Sequence, residues 1–97
     1  VSQVEIVSEQ ELPRGWTFHA QVLAQDGTLR RHRLTLSWAD YNHWSSGGSD
    51  APADVAGAAM SFLASRADPH ALPESIDAST IRRQHAGADE AIRAMLK

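Results

Sequence analysis

Residues 16–38 read WTFHAQVLAQDGTLRRHRLTLSW, and their pattern decides the fold. Trp16, Phe18, Ala20, Val22 and Ala24 alternate with Thr17, His19, Gln21 and Gln25. Beyond Asp26-Gly27, Leu34, Leu36 and Trp38 alternate with Arg31, Arg33, Thr35 and Ser37. A period of two marks strands with one buried face, here the two arms of a β-hairpin. A two-residue Asp-Gly turn would set Trp16 against Ser37 and Phe18 against Thr35. Each apolar set would then face a polar one, which a sheet with one buried face does not accept. A three-residue loop, Gln25-Asp26-Gly27, repairs the match, as a type I turn followed by a bulge with Gly27 in the left-handed region. Phe18 then faces Leu34, Trp16 faces Leu36 and Ala20 faces His32. On the opposite face Leu23 meets Leu29, Gln21 meets Arg31, His19 meets Arg33 and Thr17 meets Thr35.

Outward from the hairpin, Val1–Val7 reads as a first strand with Val4 and Ile6 on the apolar face and Glu5 away from it. Ser8–Gly15 reads as a connection carrying solvated Glu9 and Glu11, with Leu12-Pro13 favouring extended backbone. Tyr41 and Trp44, one helical turn apart, predict a short helix or turn closing the end of the sheet. After the loop Ser45–Ser49, Ser49 or Asp50 can cap a helix that has Pro52 in its first turn and runs to about Arg66. Val55, Ala59, Phe62 and Leu63 form its apolar stripe, the lid for the hairpin. Asp68-Pro69 and Leu72-Pro73 break the chain. Asp77 caps a third helical segment anchored by Ile76 and Ile81. Asp89-Glu90 starts a last helix with Ile92, Met95 and Leu96 on one side, and Arg93 and Lys97 at its negative end. The expected fold is α+β: a small three-stranded antiparallel sheet (β-β-β) with helices (α-α-α) packed on one face, in one domain over 1–97.

Composition bounds the function. An apolar fraction of 42% and a charged fraction of 22% fit a globular chain, not a disordered one. No apolar run approaches the ~18 residues of a membrane span. Val1 reads as a start that is missing or processed. The absence of cysteine excludes disulfides and thiolate metal sites, and fits a reducing cytoplasm but also a cysteine-free exported chain. A net charge of −3 argues against a protein that coats nucleic acid. Eight of the nine basic residues are arginine, a bias of GC-rich bacterial coding.

Several motifs together resemble a known group: Trp16-x-Phe18, Tyr41-x-x-Trp44 with Gly47-Gly48, Pro52-x-x-Val55, Phe62-Leu63, and Ile76-Asp77-x-x-x-Ile81. They are similar to a set of small uncharacterised bacterial proteins of about 100 residues. The resemblance covers nearly the whole chain. It implies no activity and no site residue, because its motifs are core and cap positions.

The chemistry-bearing residues are sparse. His19, His32, His43, His70 and His85 are scattered, with no His-x-x-x-His or His-x-His pair. Asp40 and His43, with Asp50 across the loop, make the best local metal group, but two ligands do not hold a catalytic metal. Asp40, His43, Ser45 and Ser46 are the residue types of a hydrolase triad without its nucleophile elbow. Gly47-Gly48-Ser49 before a helix lacks the lysine and spacing of a phosphate loop. Trp16 and Trp38 fall on the apolar face and are expected in the core, with Trp44 more exposed. Neither a cofactor nor an enzymatic activity is called for.

One surface stands out. The run Arg30–Arg33 splits on a strand, sending Arg31 and Arg33 to the uncovered face beside His19 and Gln21, and His32 inward. The first reading is a non-enzymatic cytoplasmic bacterial domain acting through protein contacts, including its own dimer, since a sheet's open edges pair readily. The alternative is a nucleic-acid-binding module using His19, Arg31 and Arg33, disfavoured because that face lacks the aromatics on which bases stack. The third is an enzyme with an unrecognised polar pocket. No membrane role is expected.

Overall fold

The computed structural model describes residues 3–24, 26–45, 47–66 and 71–96. Its elements are β1 (Gln3–Leu12), β2 (Gly15–Leu23), β3 (Leu29–Ser37), α1 (Trp38–Trp44), α2 (Pro52–Arg66), β4 (Ser75–Asp77), α3 (Ala78–Gln84) and α4 (Ala88–Met95). Among the described residues the sheet has four strands, in the order β1-β2-β3-β4. The fold is α+β, and it corrects the expectation of three antiparallel strands and three helices. β4 runs parallel to β3 and covers part of that strand's outer edge, pairing Leu34 with Ile76.

The hairpin takes the register deduced from its pattern. Trp16 pairs with Leu36, Phe18 with Leu34, Ala20 with His32 and Leu23 with Leu29. The Gly27 amide donates to the Ala24 carbonyl, and the Ala24 amide donates to the Thr28 carbonyl. Gly27 sits at φ 87°, the left-handed region the turn requires. Gln25 lies outside the described residues.

β1 is longer than expected, and most of the stretch read as a connection is strand. A bulge at Val7 separates two registers: Ile6 pairs with Ala20, but Ser8 pairs with His19. Before the bulge Val4 and Ile6 pack against the core. After it Glu9 pairs with Phe18 and Glu11 with Trp16, yet both glutamates are exposed. The covering helices do not extend over that end of the edge strand, so no apolar alternation was needed there. Pro13 and Arg14 form a two-residue turn, and the Arg14 carbonyl accepts from the Trp38 amide. Proline suits the first corner of such a turn because its φ is already set.

All helices cover one face. α2 lies across β1 and β2, α3 lies against β3, and α4 packs on α2 and α1. Trp16, Phe18, Leu34, Leu36, Val55, Ala59, Phe62 and Leu63 are buried in one core with Val22, Met60, Ile81 and Ile92. Asp77 caps α3 as expected, accepting from the Ser79 amide. Asp50 does not cap α2: its carboxylate accepts from Ser45, and Ala51 precedes the helix instead.

Two tryptophans exchange roles relative to expectation. Ser37 caps α1 by accepting from the Asp40 amide, so the strand alternation stops one residue before Trp38. The first turn of the helix rotates Trp38 outward, leaving it 48% exposed, its ring tilted 49° against that of Trp16 with the centroids 4.4 Å apart. Trp44 is 1% exposed. Burial is tolerated because its indole N–H donates to Asp89 Oδ1 at 2.7 Å.

Candidate interaction surface

The face of the sheet away from the helices is built of rows set by strand register. One row runs Glu5–Gln21–Arg31 from β1 to β3. The next runs Ser8–His19–Arg33–Ser75 into β4. A third runs Gln10–Thr17–Thr35–Asp77. Side chains alternate across a strand, so the same register that buries Phe18 and Leu34 sends these residues to solvent. The four residues singled out from the sequence, His19, Gln21, Arg31 and Arg33, are therefore brought together.

Two shallow hollows meet at this patch. One, of about 360 Å³, is lined by His19, Arg31, His32, Arg33, Glu74 and Ser75. The other, of about 270 Å³, is lined by Val7, Ser8, His19, Ala20, Gln21 and Arg31. Arg33 Nη2 donates to Ser75 Oγ at 3.0 Å, which holds that guanidinium toward β4. Arg31 is exposed and has no hydrogen bond or ion pair among the described residues. Glu5 is likewise unpaired.

His32 points into the core, as its strand position predicts, and is 2% exposed. Its Nδ1 donates to the Pro73 carbonyl at 2.8 Å, tying β3 to the segment before β4. Its Nε2 is buried without a partner among the described residues.

The residues of the metal and triad readings separate. Asp40 accepts from Ser37 Oγ at 2.9 Å and from Arg82 Nη1 at 3.5 Å. Asp50 accepts from Ser45 Oγ at 2.7 Å. The His43 side chain is exposed, and its carbonyl accepts from Arg93. Ser45 thus spends its proton on Asp50, with no contact to an imidazole. Among the described residues no three of His, Asp or Glu converge as metal ligands. His70 and Ser46 lie outside the described residues.

A polar knot on the helical side was not visible in the sequence. Arg82 of α3 reaches Asp89 of α4 at 3.0 Å and Asp40 of α1 at 3.5 Å. The Asp89 hydrogen bond holds the Arg82 guanidinium above its ordinary value. Burial opposes ionisation of Asp89, but hydrogen bonds from Arg82 and Trp44 outweigh it and hold the carboxyl below its ordinary value. The partners lie 42 and 7 residues apart in the chain, and no local pattern joins them. Every polar group here is occupied by another, which makes the knot a clamp between helices.

No protein-family model, curated protein or solved structure matches the chain. Among the described residues no helix is long and apolar enough to cross a membrane.

Proposed function

We propose that the chain is a non-enzymatic interaction domain that works through the open face of its sheet, with Arg31 and Arg33 meeting an acidic protein surface. The observation that carries this reading is Arg31: an exposed guanidinium with no partner among the described residues, beside Gln21 and His19 on a face no helix covers. Arginine presents its donors in a planar fork that matches a carboxylate through paired hydrogen bonds. Arg33, steadied by Ser75, places a second cation in the adjacent row. The setting proposed is the bacterial cytoplasm, on the arginine bias and the absence of cysteine.

The nucleic-acid reading draws on the same two cations. Its weakness is the composition of the rows, whose ring-bearing member is His19 and which hold no Phe, Tyr or Trp.

The test is the double variant Arg31→Ala with Arg33→Ala. It should keep the circular dichroism of the wild type and lose capture of the partner from native cells, and wild-type capture should weaken as salt rises. Retention of every partner by the folded double variant at low salt refutes the reading. Capture of RNA or DNA in place of protein, lost in the same variant, moves the assignment to nucleic acid.

A further inference from the structure

The open face carries both signs of charge: its free acid is Glu5 on β1 and its bases are Arg31 and Arg33 on β3, while Asp77 of β4, beside β3, is committed to capping α3. Glu5 stands on β1 and Arg31 on β3, in one row, with the neutral Gln21 between them. Their lateral separation, two strand spacings, is roughly 10 Å. Neither pairs with the other or with any described residue. Across β1, β2 and β3 an uncommitted acid on one flank and an uncommitted base on the other are complementary to themselves under one particular rotation.

We infer that the acidic surface met by Arg31 is the open face of a second copy of this chain, packed by a two-fold axis lying along β2. The inference rests on the reading of this face as an interaction surface. A two-fold along the strands exchanges the β1 and β3 flanks and keeps each row at its height. Glu5 of each copy then opposes Arg31 of the other, so two ion pairs form symmetrically. Arg33 opposes the neutral Ser8, Thr35 opposes Gln10, and Gln21 and His19 meet their own copies near the axis. A two-fold across the strands would instead stack β3 on β3 and set Arg31 and Arg33 against themselves. The charge pattern therefore selects the first axis.

Two further observations favour a copy of the chain over solvent on this face. Leu29 is 60% and Val7 53% exposed, and both belong to the open face, Leu29 in the row of Leu23 and Val7 at the rim of the hollow shared with His19 and Arg31. Apolar side chains of this size left in water gain from being covered. The area is also adequate. Strands of nine and ten residues, at ~3.3 Å per residue and ~4.8 Å spacing, give three strands roughly 400 Å² in projection. Side-chain relief brings a facing pair near the ~1,000 Å² at which specific interfaces begin. The edges are less suited to pairing. β1 is kinked by its bulge and carries Glu5, Glu9 and Glu11, while β4 has only three residues.

The experiment is sedimentation of the full chain over a wide concentration range at low and high salt. The wild type should form dimers that weaken as salt rises. Glu5→Arg and Arg31→Glu should each weaken dimerisation at least about tenfold. An equimolar mixture of these two variants should restore it, because one copy then offers two bases and the other two acids. Gln21→Glu, which sets like charges across the axis, should also weaken it without touching either member of the pair. A wild type that stays monomeric throughout, or single variants whose mixture does not recover, overturns the inference. A monomeric wild type whose Arg31→Ala, Arg33→Ala variant still loses another protein partner removes self-association alone and leaves the parent reading standing.

Discussion

Gly15 and Gly27 show how one missing side chain can hold a hairpin in place. A Cβ on Gly15 would lie 2.0 Å from the Leu36 carbonyl oxygen and 2.8 Å from the Ser37 Cα, both backbone atoms that cannot rotate away. Gly15→Ala is expected to destabilise the protein by at least about 1–3 kcal/mol, the range of overpacking, measured by chemical denaturation. Unchanged stability would mean that β2 and β3 are free to separate at this end. Gly27 has open space around it, so there the cost is conformational. Gly27→Val should cost about 1–3 kcal/mol, because a β-branched residue at positive φ is strained. Gly27→Asn, which tolerates that region, should cost less. Equal effects of the two changes would remove the left-handed turn from the account.

At the scale of elements, α2 is held to the sheet chiefly by its apolar stripe. Phe62 is 1% exposed, with His85 edge-on at 5.5 Å and the Arg66 guanidinium 5.0 Å above its ring. Phe62→Ala should cost about 3–5 kcal/mol, since surrounding helices and strands cannot collapse fully into the cavity. A loss below about 1 kcal/mol would show that α2 is not the lid. The helices are joined to one another differently, through Arg82. Asp89 has a folded-state value below its unfolded 3.8. Its contribution is therefore present above pH 3.8 and lost as pH falls through the lower folded value. Asp89→Asn should remove no more than about 1 kcal/mol at neutral pH, as the pair is partly exposed. Its stability should then fall less than that of the wild type on acidification, read from denaturation midpoints in both conditions. Asparagine retains an acceptor for the Trp44 indole, so the comparison isolates the ionic part.

On the whole molecule, the helices share one face and the other is left to solvent, with Arg31 and Arg33 on β3, Glu5 on β1 and Asp77 on β4. Arg31 and Arg33 differ in how far they serve the fold. Arg31 is bonded to nothing described within one chain, so Arg31→Ala should shift stability by less than about 0.5 kcal/mol at protein concentrations where the chain is monomeric. Arg33 also holds Ser75 in the three-residue β4, so Arg33→Ala should cost about 0.5–1.5 kcal/mol, the worth of one such bond. Thermal melts of the two single variants check this. A larger loss from Arg31→Ala would make it a structural residue rather than a surface one.

The sequence alone determined the β2–β3 pairing, because side-chain period and turn length are local and one slip would turn every apolar residue outward. From that register the meeting of His19 with Arg33 and of Gln21 with Arg31 could be read in advance, as could the stripe of α2 and the Asp77 cap. Tertiary structure decided the rest. β4 is three residues long, too short to show a period, and exists because Ile76 can pair with Leu34 across the 41 residues between them in the chain. The second half of β1 lacks apolar alternation because the helices leave both its faces wet. Trp38 and Trp44 exchanged places because a cap at Ser37 ended the strand early, and because Asp89, remote in sequence, was there to bond the buried indole. The row from Glu5 to Arg31 belongs to this second class: the bulge at Val7 sets which β1 residues share a height with β3. Such bulges and long-range partners depend on what the rest of the chain brings alongside, and local pattern carries no record of it.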